Sequence, residues 1–182
     1  MQRTNVYVDG AYFLNGTRGL GMSMDIDLAG LIRKLMPEAE FNRMYYFSSI
    51  APEHIYPARR AHELKIAARF KEQGFEPVSY PAEIKAHIYI DRGIEAGFST
   101  RMIREAARND YDRALLVTRR PDLVEPIQAV RGMGKAVDLR FYEYTTDPVN
   151  RLIAHCDTYA ELTVPDVAGF IRRGGKPVYS YR

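Results

Sequence analysis

Apolar residues fall along this chain in two alternating rhythms. Compact runs rich in β-branched and aromatic residues, such as Val6-Tyr7-Val8, Met44-Tyr45-Tyr46-Phe47 and Ala114 to Thr118, read as buried strands. Between them lie rows at helical spacing: Leu28, Leu31, Ile32, Leu35 and Met36, then Ile94, Phe98, Met102 and Ala106, then Leu123, Ile127 and Val130. The pattern predicts strands over 5–9, 43–48, 75–80, 87–90, 114–118, 136–142 and 159–164. It predicts helices from Asp25 or Asp27 to Pro37, over 58–73, over 93–108, from Pro121 to Gly132, and from Asp147 to about Cys156. Strands alternating with helices call for an α/β fold with a mainly parallel sheet covered on both faces.

Two stretches break the rhythm. Ala11 to Met24 carries Gly16, Gly19 and Gly21. Their spacing is reversed relative to the dinucleotide fingerprint, so the stretch reads as a flexible loop. Beyond Pro165 the chain turns basic and glycine-rich, with Tyr179 and Tyr181 following. Residues 1–164 are expected to form one domain and 165–182 a basic, aromatic tail that dangles or packs on a partner, a second copy of the chain being one such partner.

The 182 residues suit one domain with a substantial core. The longest apolar runs are too short to cross a bilayer, and the first strand begins almost at Met1, so no leader is expected. The single cysteine, Cys156, excludes an intrachain disulfide and a cysteine-built zinc site, and fits a reduced cytoplasmic setting. A formal net charge of +3 permits a local nucleic-acid patch without arguing for one. The 13 tyrosines could stack on bases, but tyrosines more often fill half-buried strands.

Candidate chemistry gathers where strands end. Asp9 closes the first strand and Gly10 follows it; Glu95 opens a helix; Asp122 follows the apolar strand 114–118. In open parallel sheets the functional crevice lies outside the carboxyl ends of the strands, so these three acids are expected around one site. Arg119 and Arg120 sit in the same turn as Asp122. Lys65 and Arg69 share a helix face, either as a solvated surface or as attraction for phosphate. Asp112 precedes its strand and reads as a turn residue, and Asp91, near Glu95, reads as a solvated loop acid more readily than as a spare ligand. The four histidines lack metal spacing.

Three of these segments, taken in order, resemble the NYN domain, in particular the LabA-like group of the PIN-like nuclease superfamily. They are Val6-Tyr7-Val8-Asp9-Gly10-Ala11, Gly93-Ile94-Glu95, and Tyr111-Asp112 through Leu123. The resemblance spans about residues 5 to 162 and implies a three-layer, Rossmann-like (PIN-like) sheet. It also implies a metal-dependent ribonuclease acting on RNA phosphodiesters. The chain departs from that pattern at three positions. Tyr12 stands where the family usually has Asn, Glu95 where it has Asp, and Arg120 replaces the first acid of a Ser-Gly-Asp-Ser-Asp block, leaving Asp122 as its second.

Carboxylates packed within about 4–6 Å of one another must protonate or share a cation. Magnesium or manganese suits an oxygen-only ligand set. The resemblance thus assigns Asp9, Glu95 and Asp122 as catalytic residues and metal ligands, with Arg119, Arg120, Tyr12, Lys65 and Arg69 toward RNA. Arg120 offers a competing solution, because a guanidinium pointing inward satisfies the same carboxylates by itself. Pointing outward, it joins Arg119 as a phosphate clamp. The first direction favours a degenerate member that binds nucleic acid or protein without cleavage; the second favours the hydrolase.

Overall fold

The computed structural model of the chain describes residues 2–86, 88–142 and 147–172. In chain order the elements are β1 (Gln2–Asp9), α1 (Gly10–Gly19), α2 (Leu28–Leu35), β2 (Ala39–Ile50), α3 (Pro57–Glu72) and β3 (Glu76–Pro81). A short hairpin of β4 (Glu83–Lys85) and β5 (Ile88–Ile90) precedes α4 (Ile94–Ala107) and β6 (Arg113–Val117). Then come a 3-10 turn over Pro121–Leu123, α5 (Val124–Gly132), β7 (Ala136–Phe141), α6 (Asp147–Ile153), β8 (Thr158–Glu161) and α7 (Val164–Ala168).

Six strands form one sheet in the order β3-β2-β1-β6-β7-β8, with every neighbouring pair parallel. The chain winds outward from β1 in one direction, then returns to β6 on its other side. The direction of winding therefore reverses between β1 and β6, and such a switch point leaves a crevice outside the carboxyl ends of the two strands. Alternation of side chains sends Val6 and Val8 to one face and Tyr7 to the other. The first face packs under α1, α2, α3 and α7 through Phe13, Leu31, Phe70 and Val167. The second packs under α4, α5 and α6 through Phe98, Ile127 and Leu152. This is the expected three-layer α/β sandwich. Among the described residues no helix is long and apolar enough to cross a membrane.

The tyrosines went largely inward. Tyr7, Tyr45 and Tyr111 are buried in the second core, where Glu105 of α4 collects the polar ends of the first two. Its carboxylate accepts hydrogen bonds from Asn5 Nδ2 (2.9 Å), from the Tyr7 hydroxyl (2.7 Å) and from the Tyr45 hydroxyl. Burial pushes the Tyr45 hydroxyl up to about 12. Tyr111 donates instead to the Met102 carbonyl (2.9 Å). A buried carboxylate with three donors is satisfied, which is the condition under which such a group is tolerated.

Several expected boundaries moved. The stretch beginning at Ala11 is a helix, α1, where a flexible loop was expected. Its glycines serve contact: a Cβ on Gly10 would lie 2.3 Å from Cζ of Tyr46, and one on Gly16 would lie 2.0 Å from Cδ2 of Tyr142. β2, at 12 residues, is twice as long as the predicted strand 43–48. Its amino half is largely exposed, so alternation there carried no signal. Residues 165–168, expected as the start of a tail, belong to α7, and the chain beyond them bridges back through Ile171 to Ile26. The basic, tyrosine-bearing residues 173–182 lie outside the described part of the chain.

Candidate functional site

Asp9 ends β1 and caps α1. One carboxylate oxygen, Oδ1, accepts the Tyr12 backbone N–H at 3.1 Å, satisfying a donor that the first turn leaves unpaired. The other, Oδ2, faces the crevice. The register of β1 against β6 pairs Val8 with Val117, which brings the chain after β6 alongside Asp9. There the buried Thr118 shapes the turn, its hydroxyl accepting the Arg120 N–H at 3.2 Å. Arg120 consequently points inward. Its Nε donates to Asp9 Oδ2 at 2.5 Å, its Nη1 pairs with Glu95 Oε1, and its Nη2 lies 3.8 Å from Asp91 Oδ2.

Glu95 is held by the start of α4. Gly93 caps that helix with φ +76°, a left-handed conformation that side chains rarely adopt. Gly97, one turn on, leaves room for Tyr80, because a Cβ there would stand 1.7 Å from the Tyr80 hydroxyl. The helix thus seats directly on Tyr80, and Glu95 lies in its first turn, where the helix dipole favours an anion. Asp91 comes from the link between β5 and α4.

The electrostatics of the cluster are uneven. The Asp9 side chain is 3% exposed and that of Arg120 17%, whereas Glu95 and Asp91 are about one-third exposed, at 33% and 30%. Burial pushes the Asp9 carboxyl above its ordinary range, against the pull of Arg120 and of the Tyr12 N–H. Burial also works against the Arg120 charge, but Asp9, then Glu95 and Asp91, hold its pKa above the usual arginine value. The two directions disagree about the pair: a raised Asp9 favours a neutral acid, a raised Arg120 a charged base. A guanidinium is charged at any ordinary pH, and a contact this short is charge-assisted, so the ion pair is the neutral-pH state.

This geometry bears on the metal that the sequence resemblance implied. The donors Asp9, Glu95 and Asp91 are all oxygens, as magnesium or manganese requires. Yet the guanidinium stands between them and already takes the inward oxygens of Asp9 and Glu95. Among the described residues no group of three histidine, cysteine or acidic side chains is spaced to hold an ion. Asp122, expected as the third ligand, sits exposed on the 3-10 turn and forms no such group with Asp9 and Glu95. The residues as arranged do not fit a metal.

The expected RNA-facing residues divide. Arg119 is exposed and its guanidinium lies 5.7 Å from the centre of the Tyr12 ring. Tyr12 also ties α1 to the end of β7: its hydroxyl donates to the Tyr142 carbonyl (3.0 Å) and accepts the Tyr142 N–H (2.7 Å). Both line a cavity of about 430 Å³ beside the cluster, together with Asn15, Asp91, Arg120 and Glu161. Lys65 and Arg69 do not line it. Lys65 is exposed on α3, and Arg69 is paired with Asp25 at 3.2 Å. Asp112 lies at the amino edge of the sheet, where it binds the Arg3 backbone N–H (3.0 Å) and guanidinium (2.8 Å), in keeping with a structural role. Cys156 is packed against the second core, and burial pushes its thiol up to about 12, away from reactivity.

Asp91 read more readily as a solvated loop acid than as a spare ligand; the contact that brings it to the cluster, its Oδ2 3.8 Å from Arg120 Nη2, joins residues far apart in sequence. Glu105 was legible in principle, because it falls on the apolar row of α4 seven residues after Phe98.

Comparison with known proteins agrees with the fold. A solved structure from Vibrio parahaemolyticus, described as a protein of unknown function, superimposes with a TM-score of 0.66 at 19% identity, covering 91% of this chain and 95% of that one. Acinetobacter baumannii MurG is a more distant likeness, with a TM-score of 0.46 at 11% identity over 88% of this chain and 41% of that one, and it carries no argument. No curated protein matches the chain. The family model described as "NYN domain" matches residues 3–163, nearly the whole described sandwich, and so the chain belongs to the NYN domain family.

Proposed function

We propose that this NYN domain binds RNA at the carboxyl rim of its sheet without hydrolysing it. The observation that carries the reading is the inward Arg120, which joins Asp9, Glu95 and Asp91 where a divalent ion would otherwise be needed. The cavity beside it supports binding. Arg119 and Tyr12 offer a cation and an aromatic face side by side, and nucleic-acid bases stack on such surfaces with little sequence preference. Phosphate would meet the exposed Arg119, which stands outside the Arg120 cluster.

One observation favours a second reading. Three carboxylates face one guanidinium, so the rim keeps an excess of negative charge that draws cations better than phosphates. In that reading Arg120 swings out, the donors it leaves, Asp9, Glu95 and Asp91, hold magnesium or manganese, and the protein is a metal-dependent ribonuclease. End-labelled RNA incubated with manganese, and separately with a chelator, distinguishes the two. Retention of intact RNA under both conditions is expected. Cleavage that the chelator abolishes, and that Asp9→Asn also abolishes, would overturn the first reading in favour of the second.

A further inference from the structure

The cavity beside the acid cluster, about 430 Å³ and within the range of small-molecule sites, carries chemistry that base stacking alone does not use. One stripe of α1 forms its floor, because Tyr12, Asn15, Gly16 and Gly19 fall at helical spacing and all line it. Gly16 is kept bare by the Tyr142 ring. Gly19 is not: an added Cβ there would meet nothing within 4 Å, and its φ is not positive. Neither packing nor backbone conformation requires a glycine at that position. Its bare surface leaves room for a flat group to lie against the helix.

The polar groups around that floor are of two kinds. Glu161, the last residue of β8, is an acceptor. Its backbone is fixed by the ladder pairing with Phe141 and by the next residue, Leu162, whose N–H donates to the Phe141 carbonyl at 2.6 Å. Its side chain is exposed, lines the cavity and accepts no hydrogen bond among the described residues. Asp91 is a second acceptor in the lining. Asn15 and Arg119 are donors. Asn15 Oδ1 accepts from Arg18 Nη2 at 2.6 Å, and a guanidinium only donates, so the Asn15 amide N–H groups are left to donate elsewhere. Asp9, Asp91 and Glu161 set three carboxylates in the lining against the guanidiniums of Arg119 and Arg120. Such a lining suits a neutral ring with N–H donors better than an anion.

We infer that this cavity takes a guanine base and that Glu161 is the residue that selects it. Among the RNA bases, guanine presents two adjacent donors, N1–H and the N2 amino group, beside a carbonyl acceptor. An ionised carboxylate has two acceptor oxygens and no donor, so it meets that edge in two parallel charge-assisted bonds. The other bases each turn at least one lone pair toward it: the ring nitrogen of cytosine or adenine, a carbonyl of uracil. The guanine carbonyl falls to the donors Asn15 and Arg119. Stacking on Tyr12 is indifferent to sequence, whereas the carboxylate is not. The inference rests on the RNA-binding reading of the rim and adds the base that the rim prefers.

Fluorescence anisotropy of the full chain with short labelled oligouridine RNAs that differ only in the central base tests this. The RNA with a central guanine is expected to bind about tenfold or more tightly than those with adenine, cytosine or uracil, as a bidentate pair implies. Inosine, which lacks the N2 amino group, should fall between. Glu161→Gln replaces an acceptor with a donor on an exposed side chain, so it should leave the melting temperature in place and erase the guanine preference. Glu72→Gln, exposed at the end of α3 and outside the cavity, should keep that preference. Equal affinity for all four RNAs would overturn the guanine assignment while the RNA-binding reading of the rim stands. No binding of any of them would overturn both. A guanine preference that survives Glu161→Gln would overturn the assignment of Glu161.

Discussion

Replacing Arg120 with alanine removes the one cation that three carboxylates share. Its Nε lies 2.5 Å from Asp9, whose side chain is 3% exposed. At an effective dielectric near 20, charge centres about 4 Å apart attract by roughly 4 kcal/mol. Desolvation of the guanidinium offsets part of that gain, yet deleting one partner strands the other, which in buried pairs costs about 3–5 kcal/mol. Asp9 can relieve some of the loss by taking a proton, since burial already raises its pKa. We therefore expect Arg120→Ala to lose about 3 kcal/mol at neutral pH, or roughly 6–12 °C in melting temperature for a chain of this size. The same change opens the acid cluster to a cation. Manganese at about 100 times its dissociation constant would return about 2.7 kcal/mol to the variant. It should do little for the unmodified protein, where Arg120 holds the place. Differential scanning calorimetry of both proteins, with and without manganese, reads this directly, and Arg120→Ala combined with Asp9→Asn should lose the rescue. An Arg120→Ala protein that melts where the parent melts, with manganese stabilising both alike, would show that Arg120 does not hold the acid cluster.

Other consequences are more local. Gly16→Ala should cost about 1–3 kcal/mol, because its Cβ would meet the Tyr142 ring at 2.0 Å; Gly19→Ala, with nothing within 4 Å, should change the urea midpoint little or raise it. Acid should unfold the protein through Asp112, held low by the Arg3 guanidinium and N–H, and Asp166, held low by Thr163. Their folded pKa values lie below the unfolded value of about 4, so their stabilisation is complete above that pH and is lost as pH falls through the folded values. Urea midpoints measured between pH 6 and 3 should fall, less steeply for Asp112→Asn, and a flat profile would contradict the assignment. Asp9 has the opposite sign, since its raised pKa favours the folded state as it protonates.

Much of the fold could be read from the sequence because the strands of a doubly covered parallel sheet are apolar on both faces. Val6 to Val8 and Ala114 to Val117 announce themselves without any partner. What stayed hidden was set by contacts distant in sequence. The glycines of α1 look like loop residues until Tyr46 and Tyr142 are seen against Gly10 and Gly16. The exposed amino half of β2 offers no periodicity, although its hydrogen bonds to β1 hold it in the sheet. At the site, Asp9 and Glu95 were legible from strand and helix ends, and both do meet at one point. The direction of Arg120 was not legible, because it depends on the Thr118 turn and on three acids from separate segments. Asp91 was passed over for the same reason.

On our proposal the Arg120 guanidinium occupies the place of a divalent ion at this rim, and titration calorimetry of manganese into the unmodified protein and into Asp9→Asn reads that out. Indistinguishable heats in the two proteins are the predicted result. Saturable heat in the unmodified protein that Asp9→Asn removes would contradict it.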